Sequence, residues 1–128
     1  MAEILVVDDS KVMRDMIVAC LRADNSFEFT QAASGLEAIE QLSLKHFDLL
    51  VLDLNMPDIG GIEVTQFVRS QQASRELPVV IVTTRGDETS RARALEAGAS
   101  RYMTKPFTPE EILGEVRSLL AAGNRLAV

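Results

Sequence analysis

Five short apolar runs, each followed by a longer segment of helical periodicity, constrain this chain more than any other feature of its sequence. The runs occupy residues 4–7, 27–32, 49–52, 79–82 and 101–104. Runs this short, bounded by longer periodic segments, read as strands. The last periodic segment is the clearest helix, with Ile112, Leu113, Val116, Leu119 and Leu120 on one face. Thr108 stands as its N-cap, Pro109 at its first position and Glu111 where a capping box closes. Ser34 and Glu37 are placed to start the second helix the same way, and Val64, Phe67 and Val68 share a face of the third. A repeated βα unit implies a parallel sheet with helices on both faces.

Polarity orders the strands. Runs one, three and four are continuously apolar, as strands covered on both faces must be. Run two alternates (Phe27-Glu28-Phe29-Thr30-Gln31-Ala32) and run five mixes Arg101, Tyr102, Met103 and Thr104, so both belong at the edges. With right-handed crossovers the simplest arrangement is 2-1-3-4-5, a doubly wound α/β fold of flavodoxin-like type. Such sheets bind ligands beyond the carboxyl ends of their strands, at the point where the winding reverses.

The bulk numbers exclude several classes. A chain of 128 residues suits one domain, read here as residues 1–122 with a short tail over 123–128. Its net charge of −6 argues against a nucleic-acid partner, which would call for Lys and Arg against phosphates. The single cysteine, Cys20, permits no internal disulfide and reads as a small core residue beside Val12, Met13, Met16, Ile17 and Leu21. No apolar stretch reaches the length of a membrane span, and no signal peptide is visible, so a cytoplasmic chain without a membrane partner is expected.

Chemistry gathers at the strand ends. Run one ends in Asp8-Asp9, run three in Asp53, run four in Thr83-Thr84 and run five in Lys105-Pro106. Three carboxylates in one pocket repel, at about 4 kcal/mol for each pair about 4 Å apart when the effective dielectric is about 20. A hard divalent cation with oxygen ligands offsets this, and Mg²⁺ suits one or two carboxylates plus a substrate phosphate. Three carboxylates, one metal dication and Lys105 then balance. A carboxylate in that setting can attack phosphorus and form an acyl phosphate, with the metal and the lysine stabilising the equatorial oxygens.

Taken together, Val6-Val7-Asp8-Asp9-Ser10, Leu52-Asp53-Leu54-Asn55-Met56-Pro57, Val82-Thr83-Thr84, Ala97-Gly98-Ala99 and Lys105-Pro106-Phe107 resemble the receiver domains of two-component response regulators. The single-domain chemotaxis type is the nearest in kind, and the resemblance runs from about residue 3 to about residue 121. It implies that Asp53 is the phosphoacceptor. Asp9 would bind Mg²⁺ (or Mn²⁺ as a substitute) directly, with Asp8 acting through water, Asp53 itself a ligand, and the Asn55 backbone carbonyl completing the set. Thr83 and Lys105 would contact the phosphoryl group, Tyr102 would be the aromatic switch that follows Thr83, and Lys105-Pro106 would be cis. A histidine kinase is the implied phosphodonor. The implied output is a partner docking on helix 4, strand 5 and helix 5 of a monomer, in chemotaxis or motility-type signalling.

Other readings carry less. An aspartate-nucleophile phosphatase wants a second aspartate two residues after the nucleophile, where this chain has Asn55, which cannot shuttle a proton. A flavodoxin-like cofactor carrier lacks its phosphate loop after strand one. A receiver without a direct output partner, acting as a phosphate sink or relay, stays open, as does a pseudo-receiver scaffold. No external metabolite is expected to be turned over. His46 reads as a solvated loop residue, Thr84 as a small residue controlling access, and Arg85 with Asn55 as flanking the path of attacking water. Gly60 reads as making the turn after Asp53 more permissive, and Arg91, Arg93 and Arg101 read either as a solvated face or as a surface for a partner with acidic groups.

Overall fold

The structure, a computed structural model, describes residues 1–126, with side chains through Ala122. Five strands, β1 (Ala2–Val7), β2 (Phe27–Ala32), β3 (Leu49–Leu52), β4 (Val79–Thr83) and β5 (Arg101–Thr104), pair in parallel in the order β2-β1-β3-β4-β5. Five α-helices alternate with them: α1 (Lys11–Leu21), α2 (Gly35–Leu44), α3 (Gly61–Ser70), α4 (Glu88–Ala97) and α5 (Pro109–Leu126). This is the doubly wound, flavodoxin-like arrangement that strand polarity implied. Helix α5 runs beyond the Ala122 end read from the sequence, through Leu126, and the last two residues of the supposed tail lie outside the described residues.

The central strands divide their side chains between two layers because successive residues point to opposite faces. Leu5, Val7, Leu50, Leu52, Val79 and Ile81 pack with Ala38, Val64, Val68 and Ala94, so α2, α3 and α4 cover one face. Ile4, Val6, Leu49, Val51, Val80 and Val82 pack with Ile17, Val18, Leu21, Ile112 and Val116, so α1 and α5 cover the other. Cys20 lies partly buried against this second layer. Val12 and Met16 do not: they are 80% and 43% exposed, because the core-facing stripe of α1 runs through Ile17, Val18 and Leu21.

Capping sets where the helices begin. The Thr108 hydroxyl accepts from Glu111 N–H at 3.1 Å and Glu111 Oε1 accepts from Thr108 N–H at 2.9 Å, a closed capping box. On α2 the Ser34 hydroxyl accepts from Glu37 N–H at 3.1 Å, but Glu37 reaches past the cap to Ala33 N–H. Helix α4 buries little beyond Ser90 and Ala94 and is held by its ends. Asp87 caps its start, and Gly98, at φ +114, closes its end by donating to the Ala94 and Leu95 carbonyls. The Arg69 guanidinium donates to the Gly98 carbonyl from Nε at 3.0 Å and Nη2 at 2.8 Å, tying α4 to α3. Among the described residues no helix is long and apolar enough to cross a membrane.

Gly114 lies inside α5, where an added Cβ would meet nothing within 4 Å. Gly114→Ala should therefore raise stability by about 0.5–1 kcal/mol through helix propensity. Ile81→Ala, emptying a fully buried position, should lower it by about 2–5 kcal/mol. Urea unfolding followed by far-ultraviolet circular dichroism reads both.

Candidate functional site

The hydrogen-bond ladder of the sheet continues one residue past three strands, and those residues carry the site. Asp8 N–H donates to the Ala32 carbonyl at 3.2 Å, Asp53 N–H to Val7 at 3.1 Å, and Lys105 N–H to Thr83 at 2.7 Å. Parallel register thus brings side chains from sequence positions 8, 53, 83 and 105 to one rim. Asp8, Asp9 and Asp53 each offer a carboxylate oxygen within 4.8 Å of the others. Asp8 and Asp53 are only 2% and 6% exposed, whereas Asp9 faces solvent.

Lys105 is the counter-charge. Its ammonium donates to Asp8 Oδ2 at 2.9 Å and lies 3.6 Å from Asp53 Oδ2. Asp8 Oδ1 accepts from Ser10 N–H at 2.9 Å, and the Asp8 carbonyl accepts from Arg14 Nη1 at 2.7 Å. Asp53 is served less well: its Oδ1 is buried without a hydrogen-bond partner. Burial pushes the Asp53 carboxyl above the usual carboxylate range; Lys105 opposes that shift and Asp8 adds to it. Three carboxylates and one ammonium leave two negative charges uncompensated, and an orphaned, desolvated carboxylate oxygen is costly. Hard oxygen donors in this number and closeness fit a divalent cation of the Mg²⁺ type.

The remaining residues named from sequence also fall at this end of the sheet. Thr83 is fully buried at the last position of β4, one residue later than the expected strand end, and its hydroxyl accepts from Arg85 N–H at 3.3 Å. Tyr102 pairs in register with Ile81, packs partly buried against that layer, and donates its hydroxyl to the Arg85 carbonyl at 2.5 Å. Thr84, Arg85 and Asn55 are exposed around the rim, and the Lys105–Pro106 bond is cis. His46 is exposed on the opposite side of the strand run, 3.2 Å from Asp48.

Some expectations shift. Gly60 sits at φ −72, which any residue adopts, so no special backbone freedom is in use there. The close approach belongs to Gly61, where a Cβ would collide with the Asp53 carbonyl oxygen and lie 2.9 Å from Leu54 Cα. Arg101 is already paired with Glu115 at 2.9 Å, which leaves Arg91 and Arg93 as the exposed arginines of α4. Sequence reasoning passed over Arg14 and Asp58. Arg14 stands one helical turn beyond the N-cap Ser10, and that spacing was the available signal.

Comparison with known proteins decides the family. Residues 4–117 match the family described as "Response regulator receiver domain". The chain belongs to that family. This receiver is similar to the phosphate regulon transcriptional regulatory protein PhoB of Escherichia coli (strain K12), with 35% identity over 125 residues, 98% of this chain and 54% of that protein. It is also similar to the transcriptional regulatory protein SrrA of Staphylococcus aureus (strain NCTC 8325 / PS 47), with 36% identity over 118 residues, 92% of this chain and 47% of that protein. The chain spans about half the length of the curated relatives it matches. Among solved structures, the chemotaxis protein CheY4 of Vibrio cholerae has a TM-score of 0.86 at 32% identity, over 93% of this chain and 98% of that one. Receivers are signalling proteins, and the relatives include transcriptional regulators beside a chemotaxis protein, so neither a chemotaxis role nor freedom from nucleic acid follows from the family.

The raised Asp53 carboxyl has a consequence for the metal-free receiver. A carboxyl with a folded pKa above its unfolded one holds its proton more tightly when folded, so its contribution to stability is present at low pH and is lost as pH rises through the folded value. Asp53→Asn, neutral throughout, should raise the thermal midpoint of the metal-free protein at neutral pH. The gain should shrink as pH falls through the raised Asp53 value, where the native residue is neutral too. Thermal unfolding in a chelator across that range checks this.

Proposed function

We propose that this receiver takes a phosphoryl group onto Asp53 from a histidine kinase. The observation that supports it best is the Asp53 carboxylate itself, with Oδ1 buried and unpartnered and Oδ2 3.6 Å from the Lys105 ammonium. In the transfer, an Asp53 oxygen attacks phosphorus, the bond from phosphorus to the donor imidazole nitrogen breaks, and the donor ring, protonated on its other nitrogen, leaves as neutral imidazole with an aspartyl phosphate formed. Water attacking phosphorus later returns the carboxylate and inorganic phosphate. Such transfers need positioning and charge stabilisation more than covalent assistance.

Asp8, Asp9 and Asp53, with the Asn55 carbonyl, would hold Mg²⁺, for which Mn²⁺ can substitute. When bound, the cation supplies the positive charge that lets a phosphoryl group approach three carboxylates. Lys105 neutralises a phosphoryl oxygen from the β5 side. Thr83, freed from Arg85 N–H, donates its hydroxyl to another. Because Arg85 binds both Thr83 and Tyr102, a shift of Thr83 toward the phosphoryl group reaches the ring of Tyr102 through one short segment. Tyr102 thereby reports the state of Asp53 to the surface formed by α4, β5 and α5, where an output partner docks. Similarity to CheY4 supports a motility-type partner, and similarity to PhoB and SrrA supports transcriptional output. Either destination leaves the chemistry at Asp53 unchanged.

Incubation with a small phosphodonor and Mg²⁺ should add one phosphoryl mass to the intact protein. Asp53→Asn and metal chelation should each abolish the addition within the detection limit. Uptake by Asp53→Asn at the native rate would remove the proposal.

A further inference from the structure

The loop segment between Asp53 and α3, residues 54–60, carries Asn55 and has no regular secondary structure. Two fastenings hold it. At its base, Gly61 N–H donates to the Leu54 carbonyl at 3.0 Å, in the close approach to Asp53 that only glycine permits. At its far side, Asp58 spans to a different helix. Asp58 Oδ1 accepts from Gly35 N–H at 3.1 Å and Oδ2 from Leu36 N–H at 2.9 Å.

These two amides open α2, and the third, Glu37 N–H, is taken by the Ser34 hydroxyl. The start of α2 is therefore capped by two agents, one local and one 22–23 residues away in sequence. Contact continues at the next loop residue. A Cβ on Gly35 would collide with the Ile59 carbonyl oxygen and lie 2.8 Å from Ile59 Cβ, so the helix start and the loop meet backbone to backbone. The Leu36 amide, followed by that of Ile59, holds the Asp58 carboxyl below the usual carboxylate range. Asp58 contributes no oxygen to the Asp8–Asp9–Asp53 cluster, so its charge is spent on α2.

Resting on the reading of that cluster as a divalent-cation site, we infer that Asp58 is a positioning residue for it. By clamping the loop onto α2, Asp58 holds in place the Asn55 backbone, whose carbonyl would complete the ligand set. Groups that orient metal ligands without touching the metal commonly set affinity by about tenfold or more. A helix cap alone would not do this, and the two roles separate cleanly, because Ser34 caps the same helix without touching the loop.

The test is direct Mn²⁺ titration of the full chain without phosphodonor, following free Mn²⁺ by electron paramagnetic resonance, on the native protein and on Asp58→Ala, Asp58→Asn and Ser34→Ala. Asp58→Ala should weaken binding about tenfold. Asp58→Asn, which keeps one acceptor oxygen and most of the packing, should fall between it and the native protein. Ser34→Ala should stay within about twofold while weakening α2 as a cap loss does. Amide exchange over residues 54–60 should quicken in the Asp58 variants and not in Ser34→Ala. Equal loss of Mn²⁺ affinity in Ser34→Ala and Asp58→Ala would overturn the clamp, as would native affinity in both Asp58 variants. Absence of Mn²⁺ binding by the native chain would instead overturn the cation site on which it rests.

Discussion

Everything at the functional end of this molecule depends on one ammonium group placed between buried carboxylates. Lys105 approaches Asp8 and Asp53, which together expose almost nothing to water. Removing that ammonium would leave buried carboxylate charge uncompensated, which commonly costs about 3–5 kcal/mol. The three groups follow β1, β3 and β5, so the interaction exists only once the sheet is assembled in its observed order. A lysine suits the place, because its flexible four-carbon stem lets a charge at one edge of the sheet cross the end of β4.

The same arrangement is incomplete. One ammonium cannot neutralise three carboxylates, and Asp53 Oδ1 has no partner. A protein interior tolerates such a defect where a ligand repairs it, and in the proposed function a cation and a phosphoryl group would do so together. Under that proposal stability and function would compete at Asp53, whose burial both raises its carboxyl pKa and leaves Oδ1 without a partner. The short path from Thr83 through the Arg85 backbone to Tyr102 is the route by which, in the proposed function, the state of Asp53 would reach the α4–β5–α5 surface.

Much of this was legible in the sequence because the determinants are periodic or terminal. Continuous apolarity placed β1, β3 and β4 inside, mixed polarity placed β2 and β5 outside, and the residues ending those runs assembled the acid cluster and Lys105. The Thr108–Glu111 capping box was legible because it is local. What escaped was geometry that a one-dimensional pattern does not carry. Val12 and Met16 share apolar character with Ile17, yet they lie off the Ile17, Val18 and Leu21 stripe that α1 buries, and face solvent. Gly60 and Gly61 are adjacent and alike as letters, and only the approach of the Asp53 carbonyl shows which of them must lack a side chain. Asp58 joined to α2 is a polar contact between separate elements, and no spacing rule predicts it.

The most direct measurement is chemical mapping of the modified residue. Brief reaction with a small phosphodonor and Mg²⁺, followed by borohydride, reduces an aspartyl phosphate to homoserine with release of phosphate, and peptide sequencing then locates it. Homoserine at position 53 and at no other aspartate is the expected result. Homoserine at Asp8, Asp9 or Asp58 with unmodified Asp53, or its absence from a protein that has gained phosphate, would contradict the assignment of Asp53 as the acceptor.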